Sequence, residues 1–179
     1  MLLRFNSLNE LDFQKLMEIY RESNTENVSY FYPDCTDIDA GRKQVEEKFY
    51  SYLKDDFFSI PGNRYYVYEK DGVWLSAIRL FPVPEKAGKY YAEALETRPE
   101  RRREGNAGTL FKLLFEELAD LGDFEISDSV SKTNTASLRT HLSSGFRIYQ
   151  ENSVCILNGY ENPNAYGLVY TYTKKAGEA

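Results

Sequence analysis

Within about thirty residues the chain passes from a strand pattern, Tyr90 to Thr97, through the turn Arg98-Pro99-Glu100-Arg101-Arg102-Arg103-Glu104-Gly105-Asn106-Ala107-Gly108, and into an amphipathic helix. Ala107, Leu110, Phe111, Leu114, Leu118 and Leu121 recur on one helical face, and Gly122 stands at the C′ position, where a left-handed residue ends a helix. A helix that starts this way exposes unpaired backbone N–H groups at the positive end of its dipole, a natural cradle for a diphosphate. Gly105, Ala107 and Gly108 let phosphates approach the backbone, and Arg102 and Arg103 add charge. A bare helix N-terminus with solvated arginines would read the same way, so the segment alone predicts an anion site without naming the anion.

The flanking periodicities supply the fold class. Ser7 and Glu10 read as a capping box ahead of a first helix carrying Phe13, Leu16, Met17 and Tyr20, predicted to end near Ser23. Asn24 to Thr36 mixes Asn, Ser, Tyr and Pro without a period and reads as a loop. A second helix is predicted from Asp39 to Lys54, with Val45, Phe49, Tyr52 and Leu53 on one face. Arg64–Glu69 and Val73–Phe81 flank Asp71-Gly72, a hairpin whose Gly supplies positive φ. Phe124–Val130 reads as a strand and Thr135–Ser144 as a short helix stopped by Gly145; Phe146–Glu151 and Leu168–Thr173 read as two further strands. The order is βααβββαβαββ or close to it, an α/β (α+β) arrangement around a central sheet in one domain spanning residues 1–179.

Composition narrows the class of partner. A chain of 179 residues with 42% hydrophobic and 28% charged residues buries enough apolar surface for one core. A net charge of -6 argues against nucleic acid and anionic membrane surfaces and mildly favours a cationic small substrate. The opening residues lack a secretory apolar run, and no stretch approaches the roughly 20 apolar residues of a membrane span, so a cytoplasmic protein is expected. Cys35 and Cys155 have no metal-ligand or CxxC spacing, so neither a metal site nor a disulfide is expected.

Arg102, Gly105 and Ala107 match the [Q/R]xxGx[G/A] motif of the GNAT superfamily of acetyl-CoA-dependent N-acetyltransferases, and Arg98-Pro99-Glu100 resembles the turn preceding that motif. Downstream, Asn134 followed eleven residues later by Gly145-Phe146 resembles a second pattern of that family. The resemblance covers residues 64–151 and implies a mixed, mostly antiparallel sheet of six to seven strands with about four helices, and acetyl-CoA as cofactor. It implies that backbone N–H groups of Arg103, Gly105, Asn106, Ala107 and Gly108, with Arg102 beside them, hold the pyrophosphate. Leu95 and Thr97 would pair with the pantetheine arm, and Asn134 would contact it with its side chain. Many members are dimers, so a homodimer is compatible with the resemblance.

The position seven residues after that Asn, often a Tyr that protonates the departing thiolate, is His141, the only histidine. On a helix the two residues share nearly one face about 10 Å apart. A histidine titrating near about 6.5 can protonate a thiolate whose conjugate acid lies near about 8.5. A His between Leu138 and Leu142 equally suits a hydrogen-bonded core position.

Acetyl transfer also needs a neutral amine, which a carboxylate can arrange. Glu93 and Glu96 are the candidates. Three positions apart, they point to opposite faces of a regular strand. Glu93 ranks first because several family members carry an acidic base four residues before the strand's end. Tyr90 and Tyr91 are further candidate hydroxyls. Two functions remain open: acetyl transfer by direct attack of a small-molecule or peptidyl amine, and a non-catalytic acyl-CoA-binding or regulatory domain. A P-loop nucleotide site is disfavoured, since GxxxxGK[ST] is missing.

Overall fold

The computed structural model describes residues 1–174. The elements run β1 (Leu2–Phe5), α1 (Phe13–Phe31), α2 (Ile38–Tyr52), β2 (Arg64–Lys70), β3 (Val73–Pro82), β4 (Lys89–Thr97), α3 (Asn106–Ala119), β5 (Phe124–Ser131), α4 (Thr135–Ser143), β6 (Arg147–Gln150), β7 (Ser153–Val154), β8 (Glu161–Asn162) and β9 (Ala165–Tyr172). Seven strands form one sheet in the order β1-β2-β3-β4-β5-β9-β6, and β7 and β8 form a small hairpin. Every neighbour in the sheet is antiparallel except β4 and β5. This is the mixed, mostly antiparallel α/β fold expected from the sequence. No helix among the described residues is long and apolar enough to cross a membrane.

Strand alternation sorts side chains into two cores. Tyr65 and Val67 of β2 and Ala77 and Phe81 of β3 face α1, packing on Leu16, Met17, Ile19 and Tyr20. Tyr66, Ile78 and Leu80 face the other way, onto Leu110, Phe111, Leu114 and Leu118 of α3. Each of these α3 side chains is at most 1% exposed and contributes roughly 1.5–3 kcal/mol of burial. The sheet therefore carries one helical layer on each face.

Two local expectations change. Helix α1 is capped by Asp12, whose carboxylate accepts from Lys15 N, while the Ser7 region forms a separate 3₁₀ turn. The segment from Asn24, expected to be a loop, continues α1 to Phe31. Its polar residues satisfy themselves on the helix: Thr25 Oγ1 donates to Arg21 O at 2.7 Å and Ser29 Oγ to Glu26 O at 2.9 Å. Val28, 1% exposed, anchors this extension. After α2 the backbone widens into a π-turn, Leu53–Phe57, that sinks Leu53 and Phe57 into the core.

Candidate active site

Strands β4 and β5 pair only from Lys89 to Tyr91, against Glu125 to Ser127, and then separate. The cause is a bulge in β4. Arg79 pairs with Glu93 but Ala77 pairs with Glu96, so β4 spends three steps where β3 spends two. Ala94 takes the strain at φ 56°, a left-handed conformation for a residue with a Cβ. Its carbonyl accepts from Tyr20 Oη of α1 at 2.6 Å, and Tyr20 Oη accepts in turn from Tyr65 at 2.7 Å.

The bulge corrects one expectation: the extra residue restores Glu93 and Glu96 to the same face, the α1 side. It also aims the backbone. Arg98 N donates to Leu75 O, which makes Glu96 the inward-bonding residue and turns the polar groups of Leu95 and Thr97 away from β3, toward the gap left by β5.

That gap opens into a cleft of about 1520 Å³. Its walls include Leu95, Glu96 and Thr97 of β4, Arg102, Arg103 and Gly105 of the turn, and Asn106, Ala107 and Gly108 at the start of α3. Asn134 and Ser137 of α4, with Glu22 and Glu26 of α1, close the other sides. All the residues predicted to hold the cofactor thus meet on one surface. Glu93 and His141 do not reach it.

The residues at the head of α3 suit a diphosphate. Gly105 is left-handed at φ 77°, no side chain caps the helix, and the first helical bond is donated by Thr109. The N–H groups of the first turn therefore face the cleft without intrahelical partners. A Cβ built on Gly105 or Gly108 meets nothing within 4 Å, so that approach is open. Asn106 serves the turn, donating from Nδ2 to Arg101 O at 2.7 Å. Arg102 turns inward, donating to Thr97 O at 3.4 Å, approaching Glu96 at 3.6 Å and making a charge contact with Glu22.

The carboxylates differ in their partners. Glu93 is engaged with Arg79 at 3.0 Å and with Tyr52 Oη at 3.4 Å, and the Arg79 guanidinium lies 4.8 Å from the Tyr52 ring. Glu96 lies on the cleft wall, where burial pushes its pKa up and the charge of Arg102 pulls it back, leaving it above the ordinary value. Glu22 and Glu26 add to the upward push.

His141 is 1% exposed, set edge-on between the rings of Phe111 and Phe146, each 5.0 Å away. Its Nε2 lies 2.9 Å from Asp128 Oδ2 and its Nδ1 2.8 Å from Ser137 O. The expectation that this ring faces the departing thiolate is therefore corrected: both nitrogens are spent inside the protein. Burial pulls its pKa down, but the hydrogen bond and charge of Asp128 outweigh that and hold it above the ordinary value. Asn134 caps α4, its Oδ1 accepting from Ser137 N at 3.0 Å, while Nδ2 has no partner among the described residues. Sequence reasoning missed Ser137, which lines the cleft and whose hydroxyl lies 3.4 Å from His141 Nδ1. The available signal was its place on the Asn134–His141 helix face. Tyr91 is buried, while Tyr90 is half-buried against the α3 core.

A model of the acetyltransferase (GNAT) family matches residues 13–146. The CoA-bound PaiA N-acetyltransferase of Thermoplasma acidophilum superposes with a TM-score of 0.63 over 96% of this chain and 99% of its own, at 17% identity. Aminoglycoside 6′-acetyltransferase type Ii gives a TM-score of 0.62 over 98% and 99% of the two chains at 15% identity. A putative acetyltransferase of Salmonella typhimurium, solved with its cofactor acetyl-CoA, gives 0.57 over 100% and 98% at 18% identity. No curated protein matches the sequence at a significant level.

Proposed function

Because the chain belongs to the GNAT acetyltransferase family, we propose that it acetylates an amine of a small molecule or peptide, with Glu96 taking the proton the amine must lose. Acetyl-CoA is the cofactor of this fold and supplies an acetyl group activated as a thioester. The observation that carries the reading is one cleft that holds both the uncapped start of α3 and the Glu96 carboxylate.

In this reading the N–H groups at the head of α3, with Arg103, hold the diphosphate. The outward polar groups of Leu95 and Thr97, with Asn134 Nδ2, hold the arm along β4. An N–H of the bulged strand stands ready to stabilise the negative charge that grows on the carbonyl oxygen. Glu96 is favoured over Glu93 because it faces the cleft, whereas Glu93 is matched by Arg79. The raised pKa of Glu96 makes it a stronger proton acceptor than an ordinary carboxylate. The negative walls offered by Glu22, Glu26 and Glu96 suit a cationic acceptor.

The internal engagement of Glu93 and His141 supports a second reading, a non-catalytic acyl-CoA-binding domain. Thermal-shift measurement with acetyl-CoA, then CoA release with an amine panel, separates the two. Stabilisation by acetyl-CoA with turnover that Glu96→Gln removes supports the transferase. Stabilisation without turnover on any amine supports the binder, and indifference to acetyl-CoA sinks both.

A further inference from the structure

We propose that Ser137 is the group that hands a proton to the departing thiolate, and that it draws this proton from the buried His141–Asp128 pair. The inference rests on the acetyl-transfer reading above and gives that site its acid.

Hydrogen-bond logic alone places a spare proton in the pair. Ser137 O can only accept, so His141 Nδ1, 2.8 Å away, must carry hydrogen. His141 Nε2 lies 2.9 Å from Asp128 Oδ2, and a neutral ring protonated on Nδ1 has only a lone pair at Nε2. A carboxylate there has only lone pairs as well. The contact therefore requires either an imidazolium or a protonated Asp128, and in both cases the pair holds one proton more than a neutral ring and a free carboxylate. Asp128 Oδ1 is already committed to Ser129 N at 2.6 Å.

The surroundings keep that proton from water. His141 and Asp128 are 1% and 6% exposed. Phe111 of α3 and Phe146 of the turn after α4 pack edge-on against the ring. Asp128 of β5 is the charged group acting on the ring, while Tyr91 of β4, paired beside Ser127, is the titratable group whose pKa the Asp128 charge helps raise.

One route leads out. Ser137 lies on the cleft one helical turn before His141, and its Oγ is 3.4 Å from the same Nδ1 that serves its carbonyl. The relay requires this contact to shorten, by rotation about the Ser137 χ1. As the thiolate leaves, its S–H bond forms while the Ser137 Oγ–H bond breaks. The hydroxyl is remade from the Nδ1 hydrogen, leaving the pair one proton short. Water restores that proton between turnovers, and the proton accepted by Glu96 leaves to solvent. His141 thus acts through Ser137 without touching the cofactor.

Two measurements test the relay. In steady-state kinetics, Ser137→Ala is expected to lower kcat by about 10²-fold, the scale of a lost proton donor. The KM for acetyl-CoA should stay within about twofold, Ser137→Thr should restore most of the rate, and the fall of kcat at high pH should flatten in Ser137→Ala and His141→Asn. Wild-type kcat and an unchanged pH profile in Ser137→Ala, with Glu96→Gln inactive, would overturn the relay and leave the transferase standing. The second measurement needs no acceptor. His141 is the only histidine, so its imidazole signals in an NMR pH titration are unambiguous. With CoA bound, whose thiol titrates, the His141 midpoint should lie about half a pH unit or more above that with S-methyl-CoA. Equal midpoints would overturn the relay even if no amine is turned over, whereas failure of either ligand to bind would overturn the acetyl-transfer reading and the relay with it.

Discussion

Tyr20 on α1 donates its phenolic hydrogen to the carbonyl of Ala94, 2.6 Å away, at the residue where β4 bulges. The bond ties the α1 layer to the one strand position among the described residues whose φ is left-handed, so helix packing and cleft shape are not independent. Tyr20→Phe leaves the Ala94 carbonyl and the Tyr65 hydroxyl without this partner in a buried setting. A loss of about 1–3 kcal/mol in a denaturant unfolding curve is expected. Acetyl-CoA affinity should fall as well, because the bulge aims Leu95 and Thr97.

Glu93 and Glu96 are expected to separate stability from turnover. Glu93→Gln leaves the Arg79 guanidinium, whose side chain is 13% exposed, without its counter-charge. Removing one partner of such a pair costs about 3 kcal/mol, visible as a lower Tm, while a folded fraction keeps most of its kcat. Glu96→Gln should do the reverse, lowering kcat by about 10²–10⁴-fold with Tm nearly unchanged. Equal effects of the two substitutions on kcat would sink the assignment of the base.

The contrast also marks what could be read from sequence. The hairpin was legible because Asp71 and Gly72 both sit at positive φ, a demand few residue pairs meet. The start of α3 was legible because Gly105 supplies left-handed backbone just where Asn106 begins the helix. The bulge was not, since Tyr90 to Thr97 reads as an ordinary strand and the strain falls on an alanine. Nor was the second half of α1, where Asn24, Thr25 and Ser29 lower helix propensity and tertiary burial of Val28 overrides them. The role of His141 depends on Asp128, thirteen residues away on another element, which no local pattern joins.

Arg102 sets the pH range over which Glu96 is ionised. Burial raises the pKa of Glu96 and the Arg102 charge opposes this, so Arg102→Gln removes the opposing influence. The acidic limb of kcat/KM, where activity appears as Glu96 loses its proton, should then move to higher pH. The KM for acetyl-CoA should also rise, which a pH–rate profile measured at several cofactor concentrations separates from the limb.

His141 carries a pH dependence of stability with a defined sign. Its folded pKa lies above the unfolded value near about 6.5, because Asp128 and the Ser137 carbonyl outweigh burial. The folded state therefore binds more protons than the unfolded one between the two values. The stabilisation is fully present below about 6.5 and is lost as pH rises through the folded value. Tm should fall over that window in wild type and change less in His141→Asn, which keeps a side-chain amide in the cavity. A flat wild-type profile there would contradict the extra proton held by the His141–Asp128 pair.

Gly105 and Gly108 should separate backbone strain from obstruction of the cleft. A Cβ at Gly105 meets nothing within 4 Å, yet the residue sits at φ 77°, so Gly105→Ala is strained by conformation alone. It should cost about 1–2 kcal/mol and tilt the N–H groups that follow. Gly108 has helical backbone and equal open space, so Gly108→Leu should leave the fold intact while filling the approach to those groups. Calorimetric titration with CoA should show weakening in both. Only the Gly105 variant should also show a lowered Tm without ligand; a Gly108→Leu protein that binds CoA as wild type does would place the diphosphate elsewhere than the head of α3.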